Sequence, residues 1–293
     1  MRLDFAHFQK TLIYQHSGTI AEICADLLGL SQFDALHERL RSRWGWSALA
    51  LIVVGLVSGF ASSPFNHASL PALAWLGICC AAFISCVVQW VRHSRADLAN
   101  RRYELANEVL RLLEKDSSKE ATIELQLDLR KPNHASKKQR DGTVGPWKVK
   151  YFVDPWLDLR GRFLDGTSYR LLGTEKFQAR TKSYRSRSGK TKSKSKLKSS
   201  TQVTLSLKPS GKRYAEVEQI SPKLVVAVQL PSWASSKSVD AADGRVSLTT
   251  FTTAAWTGQP RGPDSTSPSG PHLVAMMFLS LYQALNQSRV ARA

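Results

Sequence analysis

The sequence is poor in acidic residues and in cysteine. It has 23 Asp and Glu against 41 Lys and Arg, which gives a formal net charge of +18 at pH 7. Of its four cysteines, Cys79, Cys80 and Cys86 lie inside one apolar stretch, where a thiol behaves as a small hydrophobic group. No two Cys-x-x-Cys units occur, so neither a disulfide framework nor a zinc site is indicated. We predict no metal and no cofactor.

Recognisable catalytic motifs are also missing from the sequence. The seven histidines are scattered, and none is spaced from another ligand as in a helical metal site. Asp154, Asp158 and Asp165 are close enough in sequence to suggest a carboxylate cluster, but each has a simpler interpretation at a turn or on the solvent face of a strand. The sequence therefore gives no catalytic residue, although a site assembled from distant residues stays open.

Two apolar runs, residues 44–63 and 70–91, contain no Asp, Glu, Lys or Arg. A helix of about 20 apolar residues is long enough to cross the hydrocarbon core of a bilayer. The six residues between the runs are enough to reverse the chain but not to cross back. The pattern predicts a transmembrane helical hairpin over residues 44–91, and the alternative is a pair of buried helices in a soluble core.

The charges beside the hairpin predict its orientation. The loop between the runs has no Lys or Arg, whereas arginines flank both outer ends, and short basic flanks stay on the cytoplasmic side. We therefore expect an integral membrane protein of the cell membrane with both termini cytoplasmic. The flanking residues are Arg39, Arg41, Arg43, Arg92, Arg95, Arg101 and Arg102.

Small residues four positions apart occur in both apolar runs. Gly55 and Gly59 form one such pair, and Gly77 and Ala81 form the other. This spacing lets helix backbones approach closely in a membrane. The pairs are predicted to pack the hairpin on itself, and a homo-oligomer formed through the hairpin is the alternative.

Amphipathic helices are predicted on both sides of the hairpin. Residues 1–43 show a helical stripe that starts with a capping box at Thr19 and Glu22, with Gly29 as a plausible stop. Residues 92–118 show a stripe of leucines that indicates a stalk helix docked on the domain that follows.

Residues 119–293 change to an alternating pattern typical of half-buried strands. Strands are expected at residues 123–129, 147–151, 157–163, 167–177, 203–207 and 224–230, and more weakly at 246–256, with a hairpin turn at Asp165 and Gly166. Leu273–Leu285 is too short to cross a bilayer and is expected to close the domain as a helix. The predicted fold class is an α+β membrane protein with a cytoplasmic antiparallel β domain, either a sandwich or an open barrel.

The basic arm, residues 180–198, carries half of the net charge and no acidic residue. Bases at every second position would share one face of a strand, so the segment is either a protruding hairpin or a disordered loop. The interpretation without a binding partner is a solvated, self-repelling loop that keeps the protein soluble. The candidate anion-binding residues are Arg180, Lys182, Arg185, Arg187, Lys190, Lys192, Lys194, Lys196 and Lys198.

Membrane lipid headgroups, a nucleic acid backbone and an acidic protein are the possible partners of this arm. Tyr184 is the one aromatic residue within it, so the sequence gives little support for base stacking. The sequence thus predicts a membrane-anchored binding or scaffold protein. The alternative is an integral membrane enzyme, or a subunit of a membrane apparatus, with a site hidden in the β domain.

Overall fold

The computed structural model describes residues 4–62, 70–95, 98–211, 214, 228–260 and 267–286. Its helices are α1 Phe5–Thr11, α2 Ile20–Ser62, α3 Leu70–Arg95, α4 Asn100–Leu113 and α5 Gly270–Asn286. Its strands are β1 Ile13–Gly18, β2 Ile123–Asp128, β3 Lys138–Val144, β4 Trp147–Arg162, β5 Ser168–Arg185, β6 Thr191–Lys208, β7 Ser235–Ala242 and β8 Arg245–Thr252. The chain divides into two compact units, one of residues 28–98 and one of residues 1–27 with 99–293.

The unit of residues 28–98 is an antiparallel pair of helices. The Nδ1 atoms of His37 on α2 and His93 on α3 are 2.9 Å apart. Further along, the indole of Trp75 on α3 donates a hydrogen bond of 3.3 Å to Ser58 Oγ on α2. Residues far apart in sequence thus meet in reverse order, as a helical hairpin requires.

Both helices of this unit are long and apolar enough to cross a membrane. Of the most apolar stretch of each helix, 0% is buried in α2 and 11% in α3. The large apolar side chains of these stretches, such as Val57 and Ile78, are exposed. The alternative of two helices in a soluble core does not fit these exposures, because core helices bury their apolar side chains.

The second unit is built on one antiparallel sheet of eight strands. The strands lie in the order β1-β2-β4-β5-β6-β8-β7, and β3 pairs with the free part of β4. The fold is α+β, as predicted. The described strands form a single open sheet, where the sequence allowed a sandwich or an open barrel, and helices cover its apolar face in place of a second sheet.

A row of leucines runs straight across the middle of the sheet. The strand register places the row side by side on β2, β4, β5, β6 and β8, and each member is at most 1% exposed. Opposite residues of neighbouring strands share a face, so this row defines the core face of the sheet. The row consists of Leu125, Leu159, Leu171, Leu205 and Leu248.

Helices α4 and α5 lie on the core face. In α5 the residues predicted to face inward are all buried, and they are Leu273, Met277, Leu281, Ala284 and Leu285. The Oγ1 atom of Thr250 on β8 lies 3.7 Å from the sulfur of Met277. The predicted stalk helix is α4, a 14-residue helix that buries Tyr103, Leu105 and Leu110 in the same unit as the sheet.

The N-terminal segment differs from the all-helical prediction. Residues 13–18 form β1, which pairs with β2 at the edge of the sheet. The capping box is present, since Glu22 N donates to Thr19 Oγ1 at 3.3 Å and Thr19 N donates to Glu22 Oε2 at 3.0 Å. Gly29 does not end the helix, however, and α2 continues to Ser62.

Several strands also differ from their predicted bounds. The two strands predicted at residues 147–151 and 157–163 form one long strand, β4, with an irregularity between Pro155 and Leu157. The polar strands β3 and β7 were not predicted at all. Of the predicted strand at 224–230, residues 224–227 lie outside the described residues and residues 228–230 are not in a strand.

Candidate anion-binding face

The basic arm is an ordered β-hairpin. Strands β5 and β6 pair over their whole lengths, from Ser168 with Lys208 to Arg185 with Thr191. The turn is closed by Ser186 N, which donates to Lys190 O at 2.8 Å, and by Gly189 N, which donates to Ser186 O at 2.9 Å. Gly189 has a φ of +78°, a conformation that glycine adopts without steric cost.

Six of the nine candidate bases lie on one face of this hairpin. The register pairs Arg180 with Lys196 and Lys182 with Lys194, and paired residues point to the same side of a sheet. The period of two then places Lys192 and Lys198 on that side as well. We call these six residues, Arg180, Lys182, Lys192, Lys194, Lys196 and Lys198, the basic face.

The other three candidate bases do not join the basic face. Arg185 pairs with Thr191 and points to the opposite side, and its Nε donates to Gly189 O at 3.1 Å. Arg187 and Lys190 belong to the turn between the strands. The predicted shared face therefore holds for six bases of β5 and β6, and not for Arg185 or for the two bases of the turn.

The basic face continues the solvent side of the sheet. In β6 the buried residues Thr201, Val203, Leu205 and Leu207 alternate with half-exposed ones, and the basic residues of the strand have the parity of the exposed set. The face is thus directed away from α4 and α5. Every β6 residue from Thr191 to Ser199 is exposed.

Strand β4 adds aromatic rings to the same face. Val149 pairs with Arg180 and Tyr151 with Gln178, so Trp147, Val149 and Tyr151 all point to this side. The Nζ atoms of Lys182 and Lys196 lie 5.0 Å and 5.5 Å from the centroid of the Trp147 ring. Such distances give favourable cation–π contacts.

Two more rings complete the aromatic part of the face. Tyr184 pairs with Lys192 at the far end of the hairpin, and its ring lies 5.6 Å from Lys182 Nζ. Arg140 of β3 lies 5.0 Å from the centroid of Tyr151. We call Trp147, Tyr151 and Tyr184 the aromatic column. The alternation of Trp147 and Tyr151 with lysines was visible in the sequence, but the register that brings β4 beside the arm was not.

The positive charge of the basic face is not neutralised within the described ranges. None of the ion pairs found there includes one of its six residues. Arg180 donates to an uncharged partner, Gln178 Oε1, at 3.1 Å and 2.6 Å. The neighbouring acid Asp141 pairs with Lys150 in the sheet register and so lies on the opposite side. A ligand with several negative charges would therefore meet no competing carboxylate on this face.

The three carboxylates considered for catalysis are separated in the structure. Asp165 accepts a hydrogen bond of 2.8 Å from Thr167 N in a turn. Asp158 lies on the solvent side and pairs with Arg160 and Arg170 at 2.7 Å and 2.8 Å. Burial favours a raised pKa for Asp158, but hydrogen bonds from Arg170 and Arg160 outweigh burial and lower that pKa. A turn and a solvent-facing ion pair account for these two residues.

Asp154 belongs instead to a buried ion network between α4 and the sheet. Its carboxylate accepts a hydrogen bond of 2.7 Å from Arg102, and Lys137 Nζ forms an ion pair at 2.8 Å with the other carboxylate oxygen. Arg102 also contacts Glu175 at 3.0 Å, and Lys137 contacts Asp128 at 3.1 Å. We call these five residues the ion network. Asp154 and Arg102 are both completely buried, so the network joins α4 to β2, β4 and β5 from inside.

The two arginines at the start of α4, Arg101 and Arg102, are paired within the β domain. Arg101 donates to both carboxylate oxygens of Glu175 at 2.9 Å. The guanidinium groups of Arg101 and Arg102 lie 4.9 Å and 5.4 Å from the ring centroids of Trp256 and Trp156, which stack on each other. In the sequence, both arginines are among the charges that flank the apolar runs. In the structure, their ion pairs hold α4 on the sheet.

The remaining candidate sites give no ligand constellation. Within the residues that the structure describes, no group of three His, Cys, Asp or Glu could hold a metal ion. A Cβ atom added at Gly55 or Gly77 would meet nothing within 4 Å, so both positions are open. The role of the pairs Gly55 with Gly59 and Gly77 with Ala81 in helix packing stays a prediction.

Comparisons with known proteins add no information about function. No protein-family model matches the chain, and no curated protein and no solved structure matches it either.

Proposed function

We propose that the protein is a membrane-anchored binding protein whose β domain presents the basic face to an anionic partner. The observation that carries this proposal is the set of six bases on one face of an ordered hairpin without a carboxylate among them. Like charges so close repel one another, so an arrangement of this kind gains free energy when an anion binds.

The proposed anchor is the helical hairpin of residues 44–91. Most of the apolar side chains that the structure describes in this segment are exposed, and exposed apolar area costs about 25 cal/mol per Å² in water. A bilayer removes that cost, and helices satisfy the hydrogen bonds of their own backbones in lipid. A signal peptide is a poor explanation for two consecutive apolar helices that begin after residue 40.

The sheet supports an even number of membrane crossings. Strand β1 precedes both apolar helices and β2 follows them, yet β1 and β2 pair over six residues. Two strands of one sheet must lie in the same compartment. A hairpin that crosses twice meets this requirement, and a single crossing does not.

The proposed compartment is the cytoplasm. Arg39, Arg41, Arg43 and Arg92 flank the apolar runs, and the loop between the runs, which lies outside the described residues, has no Lys or Arg. The positive-inside rule then places the β domain on the cytoplasmic side even without Arg101 and Arg102.

A matched pair of double variants tests the anion-binding part of this proposal. Lys194→Ser with Lys196→Ser removes two charges from the basic face, and Lys148→Ser with Lys150→Ser removes two exposed charges from β4 on the other side of the sheet. Detergent-solubilised protein is loaded on a heparin column and eluted with salt. We expect the first variant to elute at clearly lower salt than the second.

Equal elution of the two variants and the unchanged protein would contradict the proposal. Circular dichroism spectra of the three proteins serve as the control for folding, because all four lysines are exposed and should be replaceable without loss of the sheet.

A further inference from the structure

We infer that the anionic partner is a single-stranded nucleic acid, with phosphates along the basic face and bases stacked on the aromatic column. This inference rests on the proposed function and specifies its partner. Proteins that hold single strands combine a positively charged track for the backbone with aromatic side chains on which successive bases stack. Within the basic arm the sequence has one aromatic residue, Tyr184, and the fold brings Trp147 and Tyr151 of β4 beside it.

The two elements lie side by side. Trp147 and Tyr151 of the aromatic column lie on β4, Tyr184 lies on β5, and the basic residues run along β5 and β6. The lysines of β6 recur about every 6.7 Å, whereas the two rings of β4 are four residues and about 13 Å apart. An extended nucleic acid strand on this surface would meet a basic side chain at each of these steps and a ring of β4 at every second one.

Protection of a sheet edge does not explain the whole arrangement. Strand β6 pairs with β8 only from Thr201 to Leu207. Over residues 191–200 it therefore has a free edge in the described part of the chain. Lysines are commonly placed on such edges to prevent pairing with other chains. That role covers the lysines of β6, but β5 is paired on both sides up to Thr181 and still carries Arg180 on the same face.

Lipid headgroups are the weaker candidate. Charge alone is enough to attract anionic lipids, and it gives the rings no role. Lipid headgroups have no aromatic face to stack on Trp147 and Tyr151, which are half-exposed with cations 5.0 Å to 5.5 Å from their rings. A duplex is also disfavoured, because its bases are stacked on each other and their faces are not available to a protein ring.

The direct test measures binding of a fluorescein-labelled thymidine 12-mer by anisotropy. The full chain is reconstituted in phosphatidylcholine nanodiscs, and the same oligonucleotide annealed to its complement is the competing probe. A second assay measures co-sedimentation with phosphatidylserine vesicles. We expect tighter binding to the single strand than to the duplex, and a steep fall in affinity as salt rises.

Substitution of the two rings that β4 contributes separates stacking from charge. Trp147→Leu with Tyr151→Leu keeps apolar groups on the sheet and removes two of the three rings of the aromatic column. We expect single-strand affinity to fall about 10-fold or more, because each stacked base contributes about 1–3 kcal/mol and 1.4 kcal/mol is tenfold. Retention on heparin should stay unchanged because no charge is removed, and the circular dichroism spectrum of the variant is the control for folding.

The charge variants give an independent measurement on the same complex. Lys194→Ser with Lys196→Ser should reduce the slope of log affinity against log salt by about 1.4, since single strands lose about 0.7 per phosphate contact. Lys148→Ser with Lys150→Ser should leave the slope close to that of the unchanged protein.

The possible failures are distinguishable. One outcome is that the unchanged protein binds phosphatidylserine vesicles but not the 12-mer, and that the Lys194→Ser, Lys196→Ser variant no longer binds the vesicles. This outcome overturns the nucleic acid inference and leaves the proposed function in place. Equal affinity for strand and duplex, with no effect of the leucine substitutions, also overturns the inference. If the protein binds neither heparin nor the 12-mer nor the vesicles, both proposals are wrong.

Discussion

At the scale of single residues, charge carries two different roles that the sequence does not separate. Arg102 and Lys194 are both bases in a basic chain. Arg102 is fully buried and paired with Asp154 and Glu175, whereas Lys194 is exposed on the basic face. The net charge counts the two residues alike. Their burial decides which one stabilises the fold and which one is available to a ligand.

Replacement of Asp154 by Asn is expected to destabilise the β domain strongly. The change leaves Arg102 and Lys137 buried with one fewer counter-charge, and removal of one partner from a buried ion pair costs about 3–5 kcal/mol. The measurement is the midpoint of urea unfolding in detergent, followed by tryptophan fluorescence, because Trp156 and Trp256 lie beside the network.

The matched control is Asp158→Asn, which removes a carboxylate from an ion pair on the solvent side of the same strand. Exposed pairs contribute little to stability, so its midpoint should change much less. An equal effect of the two substitutions would show that the buried network has no special role in stability.

The sequence could not reveal the ion network for a simple reason. Arg102 and Asp154 are 52 residues apart, and each has an ordinary explanation near its own position, one as a flanking charge and the other as a residue before proline. Long-range pairing of this kind depends on where α4 docks. The same limit applies to Trp147, whose membership of the basic face follows from strand register alone.

At the scale of elements, period-two patterns were reliable where a strand has one buried face. They predicted β2, much of β4 and β5, and the inner half of β6, all of which contribute to the leucine row or lie beside it. The missed strands β1, β3 and β7 lie at the edges of the sheet or off its main path. Their segments are polar, and neighbouring strands rather than their own patterning hold them in place.

Replacement of Gly189 by Ala is expected to loosen the tip of the basic arm. Its φ of +78° lies in the left-handed region, which costs an L-residue about 1–2 kcal/mol. Hydrogen exchange measured by mass spectrometry should become faster in peptides that cover residues 180–198, since the tip beyond Lys182 has no support from β4.

The control for this prediction is Gly244→Ala, at a φ of +66° in the turn between β7 and β8. It should speed exchange over residues 235–252 and leave the arm unchanged. If the arm of the unchanged protein exchanged as fast as an unstructured peptide, the ordered hairpin would be wrong and the disordered alternative correct.

At the scale of the whole molecule, membrane insertion is the property on which the proposed function depends. Charges placed in the middle of both apolar helices, as Val54→Lys with Ile84→Lys, should prevent insertion, because each costs about 2.5–3.5 kcal/mol at the centre of a bilayer. The amount of protein left in the membrane pellet after an alkaline carbonate wash measures the effect.

The unchanged protein and the control, Val54→Leu with Ile84→Leu, should stay in the pellet, and detergent should release both. Tags at the two termini should be protected from protease in intact cells. Release of the unchanged protein by carbonate would rule out an integral anchor, and digestion of either terminal tag would rule out the proposed orientation.

The pairing of β1 with β2 also dictates how the β domain is made. About 100 residues separate the two strands, so a ribosome adding about 5–20 residues per second leaves β1 without its partner for roughly 5–20 s. Any fragment that starts after the apolar helices lacks β1. The backbone N–H and C=O groups of β2 that pair with β1 then form an unpaired sheet edge, and such edges are prone to aggregation. A well-behaved water-soluble version would therefore have to splice residues 1–27 to residues 99–293 rather than delete everything before α4.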